Sequence, residues 1–223
     1  LTLEYVPGCD LWRLNRRLTL EGKKLEHDLV VYIIRQILSG LDAVHSATDR
    51  EGGVLGIVHR DISPSNVLIS IHGDVKIADF GIARANVNAF EADTAARANG
   101  KLGYLAPEQV SGGQVDRRAD LFSAGVIAAE LFMRRPLFTG GSELAVLLAI
   151  RDAEVHPFVE FAAQLPEGLG PVVLSALSAN PEERPPTARA FWAALEPWQS
   201  RPEEVLRAEL AAMVAAIAVD SRT

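Results

Sequence analysis

The apolar positions of the chain change period several times, and each change marks an element. Within residues 26–47, Leu29, Ile33, Ile37, Leu41 and Val44 recur three or four apart, which predicts a helix. Ile34 and Leu38 widen that face, as in a helix buried against a core. A shorter amphipathic helix is expected over residues 10–18, followed by a polar link at 21–24. Val67-Leu68-Ile69 is a short apolar run, and Val75-Lys76-Ile77-Ala78 returns after the turn His72-Gly73-Asp74, predicting a β-hairpin. Further helices are predicted at residues 116–131, with Leu121, Gly125, Ala128 and Leu131 along one face, and at 143–151, 169–178 and 187–195. Thr187 is the expected N-cap of the last of these. Pro157, Pro166 and Pro171 are expected to break the chain into connectors.

Ser200-Arg201-Pro202-Glu203 reads as a capping box opening a final helix, with Leu206, Leu210, Met213, Val214 and Ile217 on one face. That stripe must cover the chain's own body, meet a partner or lead into a further segment, and docking on the body is the expectation. The opening LTLEYVPG reads as a strand entering a turn, without the pattern of a signal peptide. Residues 48–56 form a polar, glycine-bearing loop, and residues 79–108 show no sustained period, as in a mobile loop.

Composition narrows the class. A chain of 223 residues with 48% hydrophobic and 23% charged residues has room for one sizeable domain or two small ones. The net charge of −7, without a long basic run, argues against nucleic acid as a partner. A lone cysteine, Cys9, excludes an internal disulfide and a cysteine-based zinc site. The apolar runs are too short or too interrupted for a membrane span.

Candidate chemistry concentrates in residues 57–81, IVHRDISPSNVLISIHGDVKIADFG. The hairpin places Asp79 just past a strand end, and Asp61 and Asn66 in the loop feeding the other strand. Asn66 and Asp79 can hold Mg²⁺ together with phosphate oxygens, and Asp61 can take a hydroxyl proton. Arg60, beside that carboxylate, calls for an anionic partner. His59 reads as a packed, hydrogen-bonded histidine, since Asp61 already fills the role of base. Asp120, near a helix start, can accept backbone N–H bonds.

This stretch resembles the catalytic core of the protein kinase family: His59-Arg60-Asp61 to Asn66 as catalytic loop, Asp79-Phe80-Gly81 as magnesium motif, and Ala106-Pro107-Glu108 closing the activation segment. HRDISPSN followed by GKLGYLAPEQ is most similar to bacterial, myxobacterial-type Ser/Thr kinases. The resemblance implies a protein-kinase-like α+β fold: a mainly helical C-terminal lobe with a small catalytic β-hairpin. Residues 1–10 would be the hinge to a small lobe, 11–198 the large lobe and 199–223 a C-terminal amphipathic helix extension. The glycine-rich loop and paired Lys of the small lobe have no match here, so that N-terminal lobe is expected as a missing partner.

The implied cofactors are ATP and Mg²⁺, with Mn²⁺ as a substitute, and the implied partner is a protein substrate. Glu4 and Val6 would present backbone groups to adenine, Leu3 would be the gatekeeper, Leu68 would lie below the ring and Asp10 near the ribose. Arg60 would receive a phosphate on the activation segment, for which Thr94 is the candidate. Asp120 would grip the catalytic loop from below, and Arg184 would pair with Glu108 in a buried bridge. The expected location is cytoplasmic, with anchoring by a segment outside this sequence left open.

Two positions depart from the family pattern. Ser63 stands where Ser/Thr kinases usually place a Lys that touches the γ-phosphate, and Lys101 where a Thr usually braces Asp61. A Lys101 amine can pair with Asp61 and partly replace both absent groups, or hold the carboxylate in a dead-end salt bridge. Three readings follow: a Ser/Thr protein kinase, a pseudokinase or scaffold, and a small-molecule phosphotransferase. Ala106-Pro107-Glu108 argues against the last, because such enzymes lack that closure.

Overall fold

The computed structural model describes residues 4–79 and 101–220. A small antiparallel sheet has the order β1 (Gly8–Asp10), β2 (Val67–Ser70), β3 (Val75–Ile77). Cys9 pairs with Ile69, and Ile69 with Val75. Of the predicted opening strand, residues 1–3 lie outside the described residues and Glu4 to Pro7 carry no regular structure; among the described residues pairing begins at Gly8. Gly8 lies so close to β2 that an added Cβ would sit 1.9 Å from the Ile69 carbonyl oxygen. Only glycine permits that approach.

Helix α1 (Leu11–Leu20) starts on Asp10, whose side chain accepts from the Arg13 N–H. Helix α2 (His27–His45) is the centre of the domain, as its wide apolar face predicts; Leu29, Ile33, Ile37, Leu38 and Leu41 are fully buried. It packs against α4 (Arg118–Met133) and α8 (Ala188–Ala194), and against β3, while α3 (Pro107–Val110) is a single turn. Helix α4 has no single apolar face: residues Ala119 to Ala129 are all buried, which is the pattern of a helix enclosed on every side. Gly125 allows this, because a Cβ there would already touch the Ala176 methyl at 3.0 Å.

Helix α5 (Glu143–Arg151) has its predicted bounds and is capped by Ser142. Pro157 does not produce a mere connector. It occupies the first turn of α6 (His156–Ala162), where its missing N–H has no intrahelical acceptor to lose. Pro171 similarly sits in the first turn of α7 (Leu169–Ala176). Thr187 caps α8 through the Ala190 N–H.

Helix α9 (Glu203–Asp220) docks on the same body, against β1, β2, α1 and α2. Leu206, Leu210 and Val214 are buried. The expected capping box is not formed: the Ser200 hydroxyl donates to Asp28, and the carbonyl of Pro202 receives the first helical N–H groups. Arg201 bridges Asp28 (2.6 Å) and Glu209 (2.5 Å) instead. At Gly73, with φ of 80°, a Cβ would fall 2.0 Å from the Arg207 carbonyl oxygen, so α9 lies directly on the hairpin turn. No helix among the described residues is long and apolar enough to cross a membrane.

Candidate active site

Residues 57–63, ahead of the single 3-10 turn Pro64–Asn66 that leads into β2, carry no regular structure, so their position depends on side chains beneath them. Asp120, in the first turn of α4 and fully buried, accepts the His59 N–H at 2.9 Å on Oδ2 and the Arg60 N–H at 2.8 Å on Oδ1. His45 Nε2, from the last turn of α2, lies 2.8 Å from the same Oδ2. A histidine there reads in sequence only as a helix-end residue, and only the fold brings it to Asp120. Gln109, also not singled out by pattern, joins Arg60 to the other side of the cleft: its Nε2 donates to the Arg60 carbonyl at 3.3 Å, and its Oε1 accepts from the Ala106 N–H at 2.9 Å.

His59 is buried beneath this turn. Its Nε2 lies 3.1 Å from the Ala78 carbonyl, which can only accept, and its Nδ1 takes the Asp61 N–H at 3.3 Å. The ring is therefore neutral with its proton on Nε2. Burial lowers its pKa, against the opposing pull of Asp120. Two residues at the site have left-handed backbone, Arg60 (φ 63°) and Asp79 (φ 58°). For non-glycine residues this costs roughly 1–2 kcal/mol each, offset here by the surrounding bonds.

Asp61, Asn66 and Lys101 form one cluster. Asn66 Nδ2 donates to the Asp61 carbonyl at 2.7 Å and to Asp61 Oδ2 at 2.8 Å. That fixes the amide orientation and leaves Asn66 Oδ1 as an outward acceptor, which takes the Lys101 ammonium at 2.8 Å. Lys101 Nζ is also 3.1 Å from Asp61 Oδ2. The Ala78 N–H bonds to the Asn66 carbonyl at 2.8 Å, so Asp79 follows directly on the strand paired to Asn66. An oriented amide oxygen already facing a cation, next to an exposed carboxylate, fits a Mg²⁺ site. Such ions keep several waters and phosphate oxygens as ligands. Asn66 and Asp79 are the residues that would hold it.

Ser63 is buried and its hydroxyl contacts Ser65 at 3.1 Å. Together with Asn66, Asp79, Lys101, Tyr104 and Glu130 it lines a cleft of about 1070 Å³. The Tyr104 hydroxyl donates to Glu130 at 2.6 Å, and burial pushes the pKa of both groups up.

On the adenine side the residues are more dispersed. Asp10 and Leu68 are cross-strand partners, and Leu68 and Val6 are half-buried. One Asp10 oxygen is committed to the cap of α1. Glu4 is exposed and paired to Lys76 at 2.5 Å. Arg184 and Glu108 meet in a bidentate pair, at 2.8 and 2.7 Å, with the Arg184 side chain fully enclosed. Leu3, Phe80, Gly81 and Thr94 lie outside the described residues.

The sequence as a whole also has counterparts among known proteins. A model of the protein kinase domain matches residues 1–195. The chain belongs to the protein kinase family. Among its relatives, tyrosine-protein kinase MasK of Myxococcus xanthus is 39% identical over 203 residues, 90% of this chain and 31% of that protein. Serine/threonine-protein kinase PknL of Mycobacterium tuberculosis is 37% identical over 196 residues, covering 88% of this chain and 46% of its own length. Probable serine/threonine-protein kinase SCO3848 of Streptomyces coelicolor is 38% identical over 186 residues, 82% of this chain and 26% of that protein. The chain thus spans less than half the length of these relatives.

Proposed function

We propose that this chain is the large lobe of an ATP- and Mg²⁺-dependent protein kinase that phosphorylates Ser/Thr hydroxyls of protein substrates in the cytoplasm. In this reading residues 1–10 are the hinge, 11–198 the lobe and 199–223 an extension, and a small lobe closes the cleft in the complete protein. The observation that carries the reading is the Asp61–Asn66 pair, linked through the Ala78 N–H to the segment that carries Asp79 just past β3, in a loop that Asp120 holds through the His59 and Arg60 N–H groups. Mg²⁺ bound at Asn66 and Asp79 would neutralise phosphate oxygens. Asp61 orients the acceptor hydroxyl and takes its proton as the oxygen bonds to the γ-phosphorus. The bond to the β–γ bridging oxygen breaks, and ADP leaves with that oxygen.

Arg60 is proposed to receive a phosphate on the activation segment, and Thr94 to carry it. Glu4, Val6, Leu68 and Leu3 are proposed to form the adenine slot. Ser/Thr acceptors are favoured by the resemblance of the catalytic motifs, and by PknL and SCO3848 among the relatives, whereas MasK bears the name of a tyrosine kinase. The second reading, a pseudokinase or scaffold, is favoured by one observation: the Lys101 ammonium already occupies Asp61 Oδ2. The test is transfer of radiolabelled γ-phosphate from Mg·ATP to a protein acceptor by the full-length protein, followed by phosphoamino-acid analysis. Label on serine or threonine supports the first reading. Label on tyrosine corrects the acceptor, and no transfer by well-folded protein supports the second.

A further inference from the structure

We infer that Lys101 is a catalytic residue: its ammonium waits between Asp61 and Asn66, leaves Asn66 when that amide oxygen takes a metal, and moves onto the transferring phosphoryl group. This rests on the phosphotransfer reading above. Lys101 is the only cationic side chain among the described residues lining the cleft, which the carboxylates Asp79, Glu130 and Glu143 also line. The transferring group spreads negative charge over three oxygens and needs compensation on the protein side. Ser63, buried in the same wall, offers only a neutral hydroxyl.

The contacts of the ammonium also define a choice between two cations. It bonds Asn66 Oδ1 at 2.8 Å and Asp61 Oδ2 at 3.1 Å, on a side chain only 15% exposed. Asn66 cannot turn its other face outward without losing both bonds from Nδ2 to Asp61. An ammonium and a divalent ion at one amide oxygen repel each other, so metal binding drives Nζ away. The flexible four-carbon stem lets it travel, which distinguishes Lys from a fixed brace. No covalent bond to Lys101 is made or broken; it supplies charge and hydrogen bonds only.

The experiment compares full-length wild type with Lys101→Met, Lys101→Arg and the double variant Ser63→Lys/Lys101→Met, after thermal melting has established that each is folded. Two readouts are taken: kcat with KM for ATP, and Mn²⁺ binding by electron paramagnetic resonance in the presence of a non-hydrolysable ATP analogue. The expected result for Lys101→Met is a kcat loss on the order of 100-fold with KM little changed. Its Mn²⁺ binding should tighten roughly fivefold, because a competing unit charge a few ångströms away is gone. Lys101→Arg should keep most of the rate, and a lysine moved to position 63 should restore part of it. A merely structural role would not tighten the metal.

An unchanged or raised kcat in Lys101→Met overturns the inference and leaves the kinase reading standing. Unchanged Mn²⁺ affinity overturns it as well. A folded wild type that transfers no phosphate overturns both.

Discussion

The Glu108–Arg184 pair offers a sharp energetic prediction, because the structure encloses it so completely. The Arg184 guanidinium is 0% exposed and the Glu108 side chain 9%. Besides its two bonds to Glu108, Arg184 donates to the carbonyls of Arg118 (3.0 Å), Ser178 (2.9 Å) and Ala179 (3.3 Å), and lies 4.9 Å over the Phe122 ring. Arg184→Met therefore removes the partner of a nearly buried carboxylate and strips three carbonyls of a donor. Leaving such a charge unpaired costs about 3–5 kcal/mol. For a domain of this size each 1 kcal/mol is worth about 2–4 °C in Tm, so the loss should be about 6–20 °C.

Replacing both partners, Glu108→Gln with Arg184→Met, removes the buried charge as well as its partner and should recover a large part of the loss. Urea denaturation of wild type, both single variants and the double variant gives the coupling energy directly. A single-variant cost below about 1 kcal/mol would refute the claim that this pair holds the 106–108 turn to the base of the lobe.

Three further outcomes are expected. His59 has a pKa lowered by burial, so the unfolded state takes up its proton first and stability is lost as pH falls below about 6.5. Denaturation of wild type and His59→Gln from pH 7.5 to pH 5 should show a loss that the variant lacks; parallel curves would contradict it. Leu210→Ala, at a fully buried position of α9, should cost about 2–5 kcal/mol, measured by denaturant midpoint. Gly73→Ala should destabilise by about 1–3 kcal/mol, because its left-handed backbone and the Arg207 carbonyl leave no room for a methyl; an unchanged midpoint would mean that α9 does not rest on the hairpin.

Much of the fold was readable because periodicity reports burial. Helix α2 shows its wide apolar stripe, and the hairpin shows two short apolar runs around His72-Gly73-Asp74. Helix α4 was legible as a helix but not as one buried all round, since a chain position does not say how many neighbours enclose it. The strand at Gly8–Asp10 is not marked by apolar alternation, because its pairing with β2 uses the close backbone approach at Gly8. Helix α6 was hidden by Pro157, whose effect reverses between a first turn and an interior.

At the site, Asp61, Asn66 and Asp79 were marked by residue type and spacing within 25 residues. His45 and Gln109 were not, because their parts depend on bonds to Asp120 and Arg60, across 75 and 49 residues. For Lys101 the sequence leaves open a group that partly replaces both absent residues and a dead-end salt bridge. Its simultaneous contact with Asn66 Oδ1, which no sequence pattern shows, adds the choice between ammonium and metal at that oxygen.

The central claim is that Asp61 acts on the acceptor during phosphoryl transfer, while Asn66 and Asp79 serve the nucleotide side. It is tested most directly by kcat and nucleotide affinity of full-length Asp61→Asn beside wild type, with Mg·ATP and a protein acceptor. The expected result is a loss of kcat of at least about 100-fold with ATP affinity nearly unchanged, since the group lost acts on the acceptor alone. Full turnover by Asp61→Asn would contradict the account.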